Sequence, residues 1–229
     1  IEILLAERAA RAAGAGSFTA RSGAGGSWRA LEVLDGHVTT SQLVDLATDP
    51  DAFTARIRRP MPTAPARATR RGTAFHSWLE RHFRRAALLE PDELPGSADD
   101  PVPADGDLEE LIARFRTSAW ATREPVEVEV MVETVIGEAA VRGRIDAIFS
   151  DPDGGVTIVD WKSGHPPTGA AAHAAAVQLA AYRLAYARLR SLPLAQVRAA
   201  FYYAATGETI EPPLRSAGEL EALVAILGS

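Results

Sequence analysis

Lysine occurs once in this chain, as Lys162; every other Lys-or-Arg position is arginine. A guanidinium is planar and always charged, whereas an ammonium is compact and its pKa moves with its surroundings. A lone lysine in such a chain suggests chemistry. Lys162 stands two residues after Asp160 in the apolar run Val156–Lys162, which reads as a strand. Side chains at i and i+2 of a strand share a face, so Asp160 and Lys162 project together with Val156 and Ile158, and Trp161 points away. Asp146 lies on the preceding strand, across the turn Asp151-Pro152-Asp153-Gly154-Gly155, whose residues are hairpin-turn formers; it can lie beside them. Two carboxylates about 4 Å apart repel by roughly 4 kcal/mol at an effective dielectric near 20. One must be protonated or a cation must sit between them. A divalent metal resolves this with hard oxygen ligands, and Mg²⁺ takes one or two carboxylates plus waters and substrate phosphate. Lys162 could then orient or help deprotonate an attacking water, or neutralise a negative transition state. The competing reading is a structural Asp–Lys pair on an edge strand. Gly143-Arg144-Ile145-Asp146 on the partner strand brings the chemical reading level with it.

Three further residues extend the constellation. Gln178 and Tyr182 are i and i+4 on the helix that follows, hence on one face; they share a stripe with Ala185 and Leu189, where an amide is out of place. The plain alternative is a surface amide beside a packed tyrosine. The chemical one has both projecting over the sheet toward the carboxylates, Gln178 bonding a strand or substrate and Tyr182 touching a nucleic-acid backbone. His76 falls in a stripe with Leu79 and Phe83. A lone histidine on an apolar face is usually a hydrogen-bonded core residue. Arg70, Arg71 and Gly72 just before it would suit a phosphate at a helix N-terminus.

The elements that must position these groups follow from periodicity and punctuation. Residues 1–13 read as a short helix and Gly14–Ser27 as a flexible linker. Thr40 or Ser41 can cap a helix through Leu43, Val44 and Leu46 that breaks at Asp49-Pro50. Arg58–Arg71 reads as connection, and Thr73 opens a helix to about Leu89 with Phe75, Trp78, Leu79 and Phe83 on its apolar side. Glu90–Asp107 is acidic and proline-rich, an exposed loop; Leu108–Ala121 is another helix. Val126, Val128, Val130 and Val132 alternate with Glu127, Glu129, Met131 and Glu133, the pattern of a half-buried strand. Val141–Phe149 and Val156–Lys162 follow, then a long helix Ala170–Leu189, a strand Val197–Ala204, a shorter one at Thr209–Leu214, and a last helix capped by Ser216. That order gives an α/β fold, a central mixed sheet flanked by helices.

Composition bounds the function. The chain is 47% apolar, ample for a core. It has no cysteine, which excludes disulfides, thiolate nucleophiles, zinc-thiolate sites and an iron–sulfur cluster. No stretch approaches the length of a transmembrane span. The net charge of −6 argues against strong intrinsic affinity for nucleic acid, although arginines crowd Arg56–Arg85 with Glu80 the single acid. Ile1 at the start and the Gly/Ser-rich stretch suggest a piece of a longer protein, with residues 1–38 belonging to a preceding region and 39–229 forming the domain.

Gly72-Thr73-Ala74-Phe75-His76, Gly143-Arg144-Ile145-Asp146, Val159-Asp160-Trp161-Lys162-Ser163-Gly164 and Gln178-Leu179-Ala180-Ala181-Tyr182 together resemble, in order and spacing, the RecB-type nuclease branch of the PD-(D/E)XK superfamily. Thr40-Ser41-Gln42-Leu43 and Asp49-Pro50-Asp51-Ala52-Phe53 look like the opening segment of these domains. The likeness spans roughly residues 39–205. It implies the restriction-endonuclease-like core of that superfamily, with an N-terminal helical segment. It implies that His76, Asp146, Asp160 and the Trp161 carbonyl bind Mg²⁺ or Mn²⁺, that Lys162 is the catalytic lysine, and that Gln178 and Tyr182 form the helix motif beside the site. The implied reaction is phosphodiester hydrolysis of DNA by metal-activated water. The implied setting is the bacterial cytoplasm: a module after a superfamily 1 helicase in the same chain, with a second helicase–nuclease subunit, resecting double-strand breaks, in a sequence that looks most actinobacterial. Many relatives hold an iron–sulfur cluster through four cysteines; with none here, no cluster is expected. Some relatives carry a glutamate near the metal on the first long strand, where Glu127 and Glu129 stand. Two alternatives remain: a catalytically silent nuclease fold serving as a DNA-binding or docking scaffold, and a stand-alone exonuclease.

Overall fold

The computed structural model describes residues 34–58, 67–88 and 106–228. The helix expected at 1–13, the linker at 14–27 and most of the acidic loop at 90–107 lie outside the described residues. No helix among the described residues is long and apolar enough to cross a membrane.

The chain opens with strand β1 (His37–Thr39) and helix α1 (Thr40–Thr48), then α2 (Pro50–Arg58), the long α3 (Arg67–Leu88) and α4 (Gly106–Arg116). Strands β2 (Glu127–Ile136), β3 (Ala139–Ser150) and β4 (Val156–Lys162) meander antiparallel. Helix α5 (Gly169–Leu189) crosses over to β5 (Val197–Tyr203), parallel to β4; β6 (Glu208–Ile210) and α6 (Ala217–Ala225) complete the order. The six strands form one mixed sheet, β1-β3-β4-β5-β6, with β2 on β3.

Several boundaries differ from the sequence reading for identifiable reasons. β1 escapes a periodicity search because it has three residues. Thr39, not Thr40 or Ser41, caps α1: its hydroxyl accepts from Gln42 N at 3.1 Å while the Gln42 side chain accepts from Thr39 N at 2.7 Å, a reciprocal box that satisfies two orphan donors. Helix α3 starts at Arg67, six residues before Thr73, because Ala and Arg propagate a helix straight through Gly72. The helix expected over Leu108–Ala121 ends at Arg116 and resumes as a 3₁₀ turn at Ala119–Thr122. The last strand stops at Ile210 rather than Leu214. Ser216 caps α6 as expected, with Glu219 completing the box.

The sheet is packed on both faces. On one, α3 and α4 bring Phe75, Phe83 and Phe115 against Phe149, Trp161 and Tyr202. Phe83 stacks on Trp161 at 6.0 Å, and Phe115 meets it edge-on at 5.6 Å. Each such ring contributes about 2–3 kcal/mol by burial, so Trp161 anchors β4 on this face. On the other, α1, α5 and α6 cover Ile145, Ile148, Ile158, Val38, Val141 and Ile136. Val156 and Ile158 belong to that second layer, and so, by the two-residue period, do Asp160 and Lys162.

The even alternation read over Val126–Val132 breaks at Glu129. Val126 is exposed, Val128 packs into the aromatic layer, and Val130 and Val132 turn to the α5 layer. Glu129 has φ +55°, a left-handed conformation that costs a non-glycine residue about 1–3 kcal/mol. That residue rotates the strand between its two faces.

Candidate active site

β2 runs the length of one edge of β3, so β1 and β4 share the other: β1 pairs with Ala140–Arg142 and β4 with Ala147–Ser150. Between those stretches β3 and β4 part. Ala147 and Val159 are the pair at that end of the ladder, and the next two residues are Asp146 and Asp160. The Trp161 N–H, released from the β3 ladder, donates to Asp146 Oδ2 at 2.9 Å. β4 meanwhile stays paired to β5 through Lys162. The parting of two strands thus sets two nearly buried carboxylates side by side, 8% and 3% exposed, on a rigid support.

Lys162 Nζ lies 2.8 Å from Asp160 Oδ2. The ammonium is the partner of that buried oxygen, by contact and by charge. Lys162 also donates to Gln178 Oε1 at 2.9 Å, and Gln178 Nε2 donates to the Tyr182 hydroxyl at 3.0 Å. The anomalous amide on the apolar face of α5 is therefore the lysine's partner. His76 comes from α3: its Nε2–H donates to the Trp161 carbonyl at 2.9 Å, and Nδ1 stands 3.5 Å from Asp146 Oδ1.

Charge explains the ionisation. Burial pushes the Asp160 carboxyl up to about 6, the Asp146 charge adds to this, and Lys162 only partly offsets it. Burial would lower His76, but its hydrogen bond to Asp146 and the charges of Asp146 and Asp160 outweigh that and raise it. Burial would likewise lower Lys162, and Asp160 above all raises it instead. The Lys162 ammonium and the His76 ring thus face the two carboxylates. An ammonium so held stays protonated at neutral pH, which suits charge neutralisation rather than proton abstraction.

These side chains line an open cavity of about 570 Å³ that brings together all seven residues singled out from the sequence: His76, Asp146, Asp160, Trp161, Lys162, Gln178 and Tyr182. It also holds residues that sequence reasoning missed as site members: Thr39, Thr40 and Ser41 at the start of α1, Met131, and Arg142. Only Arg144 among the lining arginines lay in a motif. The arginines of the 56–85 run whose side chains are described do not line it. Arg56 pairs with Asp45, Arg71 with Asp107 and Arg84 with Glu80. Glu127 and Glu129 separate. Glu127 accepts from the Tyr186 hydroxyl at 2.7 Å and pairs with Arg190, on α5 away from the site. Glu129 pairs with Arg144 Nε at 2.8 Å; burial raises its pKa against that arginine, with Asp146 and Glu80 adding to the rise. Glu129 therefore borders the site and Glu127 does not.

Among the described residues no three His, Asp or Glu side chains are arranged to hold an ion. The donor types nonetheless fit one. Two carboxylates, a carbonyl and an imidazole suit a hard divalent ion, and the two carboxylates are nearly buried and face one cavity. His76 and the Trp161 carbonyl are bonded to each other here, so an ion held by both would replace that hydrogen bond.

Comparison with known proteins bears on the fold and the family. No curated protein sequence matches the chain. Among solved structures, a candidate exonuclease from Eubacterium rectale superposes with a TM-score of 0.56 at 12% identity, covering 93% of this chain and 88% of that one; at such identity the likeness shows the fold. SSO0001 overlaps 99% of this chain and 84% of its own at 12% identity, with a TM-score of 0.38, too low to carry an argument. The family model of the PD-(D/E)XK nuclease superfamily matches residues 37–224. That stretch holds the whole sheet, both carboxylates and the lone lysine, and the chain belongs to the PD-(D/E)XK nuclease superfamily.

Proposed function

We propose that this chain is a divalent-metal-dependent deoxyribonuclease of exonuclease type that hydrolyses phosphodiester bonds in a single strand. The observation that carries the reading is the meeting of Asp146, Asp160 and Lys162 where β3 and β4 part, two nearly buried carboxylates beside one ammonium. Burying two carboxylates side by side is costly unless a cation meets them. In this reading Asp146, Asp160, His76 and the Trp161 carbonyl hold Mg²⁺ or Mn²⁺, which when bound supplies a Lewis acid for the phosphate and an acidified water. Lys162 neutralises the charge that builds on the phosphate oxygens. Gln178 fixes the ammonium's direction, and the Tyr182 hydroxyl, open to the cavity, touches the strand's backbone. Arg142 and Arg144 flank the cavity mouth, and Met131, 69% exposed, offers a base an apolar contact.

We further propose that the strand is delivered by a superfamily 1 helicase linked to this module, in bacterial double-strand-break resection with a second helicase–nuclease subunit. The support is the order and spacing of the four motifs and the net charge of −6: a tethered module meets its substrate at high effective concentration and needs little affinity of its own. The test is incubation with labelled single-stranded DNA in Mn²⁺, in Mg²⁺ and in EDTA. Metal-dependent shortening of the strand is expected. Intact DNA under all three conditions overturns the reading in favour of a silent scaffold.

A further inference from the structure

We propose that Thr40 is a positioning residue for the reaction: through Tyr182 and Gln178 it fixes the direction of the Lys162 ammonium. This rests on the reading of Lys162 as the active lysine. Thr40 is the first residue of α1 and 4% exposed. Capping of that helix is done by Thr39 and Gln42, so the Thr40 hydroxyl is free for another use. It donates to the Tyr182 hydroxyl at 3.3 Å, across 142 residues of sequence.

The polarity of the chain of bonds starts at the ammonium. Lys162 can only donate, so Gln178 must present its carbonyl oxygen to it and its amide N–H₂ to Tyr182. The Tyr182 oxygen then accepts from both Gln178 and Thr40, which leaves its own hydrogen for a further acceptor. Gly143 makes the meeting possible. A Cβ there would lie 2.5 Å from Tyr182 Cε1 and 2.8 Å from Thr40 Cγ2, so both side chains close over the bare backbone of β3. The contact at 3.3 Å is the longest of the three links, yet it alone ties the Tyr182 oxygen to α1. Without it the tyrosine oxygen and the amide can turn together, and the ammonium loses its fixed direction.

The lone lysine permits a direct test. Thr40→Val keeps the shape and deletes the hydroxyl; Thr40→Ser keeps the hydroxyl. In Thr40→Val, kcat should fall about tenfold with KM within about twofold, as expected for loss of a supporting contact, and Lys162 should be acylated several-fold faster than in wild type. Reductive ¹³C-methylation, which labels this one lysine and the chain's amino terminus, should give a displaced lysine signal. Thr40→Ser should stay near wild type in all three. Wild-type amine reactivity in Thr40→Val overturns the inference, whether or not cleavage falls, because the ammonium has then kept its direction without the hydroxyl. If Thr40→Val does not fold, Tyr182→Phe deletes the same contact from the other side, and an unchanged lysine signal there overturns it equally. A protein that never cleaves DNA, yet shows faster acylation in Thr40→Val, refutes the nuclease reading and leaves the positioning role standing.

Discussion

The two ends of the β3–β4 pair hold the same kinds of residue and use them oppositely. At the hairpin end, Asp151 accepts from the Thr157 hydroxyl at 2.7 Å, Arg198 at 2.9 Å and Arg123 at 3.1 Å. Asp153 pairs with Arg198 and accepts from Gly155 N, and Gly154 takes the φ of +83° that the turn requires. Burial works against Asp151, but these partners together hold its carboxyl below the ordinary range. At the open end, Asp160 is more deeply buried, with the Lys162 ammonium at 2.8 Å, and burial and the Asp146 charge push its carboxyl up to about 6. Where three donors converge on one carboxylate, acids and arginines lock a turn. Where two buried carboxylates lie beside one ammonium, their charge is only partly offset.

The largest expected contrast is catalytic. Asp160→Ala or Lys162→Ala should lower DNA cleavage roughly a thousandfold or more, with the thermal transition still cooperative. Asp151→Ala should leave kcat of the folded protein within about threefold. Equal cleavage by the two classes of variant would erase the distinction between the ends. Chelation should match the first class, with Mn²⁺ restoring the strand shortening read on a gel.

Next comes stability in the metal-free protein, where the two ends have opposite pH dependence. Asp160, raised from 3.8 to about 6, binds its proton more tightly when folded, so stability falls as pH rises between about 4 and 6. His76, also raised, contributes stability that is full below its ordinary 6.5 and lost as pH rises through its folded value. Asp151, lowered from 3.8, contributes stability that is lost as pH falls below that. Asp160→Asn should therefore flatten the decline in stability of the metal-free protein above pH 4 in urea titrations. A decline unchanged by that substitution would place its origin elsewhere.

Asp151→Ala should cost about 1–3 kcal/mol at neutral pH, since it strands the buried Thr157 hydroxyl and takes one partner from each of two guanidiniums; chemical denaturation measures it. The smallest effect separates the two glutamates. Glu127→Gln should change kcat/KM by less than about twofold, because its partners lie on α5 away from the cavity. Glu129→Gln should change it more, because Glu129 borders Asp146 and His76. The reverse order would show that the turn of β2 at Glu129 had been misjudged as a feature of the site.

The amino-acid sequence by itself determined the residues of the centre and their mutual facing on each element. The two-residue period put Asp160 and Lys162 on one face and Trp161 on the other, and the four-residue spacing put Gln178 and Tyr182 on one stripe; both follow from local geometry. It also determined the long strands, the turn at 151–155 and the cap at Ser216, because alternation and turn chemistry are short-range signals. Tertiary structure decided what no local pattern encodes. That β1 takes the stretch of β3 which β4 leaves, opening the gap at Asp146 and Asp160, depends on pairing between segments a hundred residues apart. That Glu129 turns the strand, so that neighbouring valines face opposite layers, depends on which surfaces need filling. That Thr40 reaches Tyr182 over Gly143 depends on where α1 docks, and docking is settled by the apolar area buried over the whole sheet rather than by any residue's own preference.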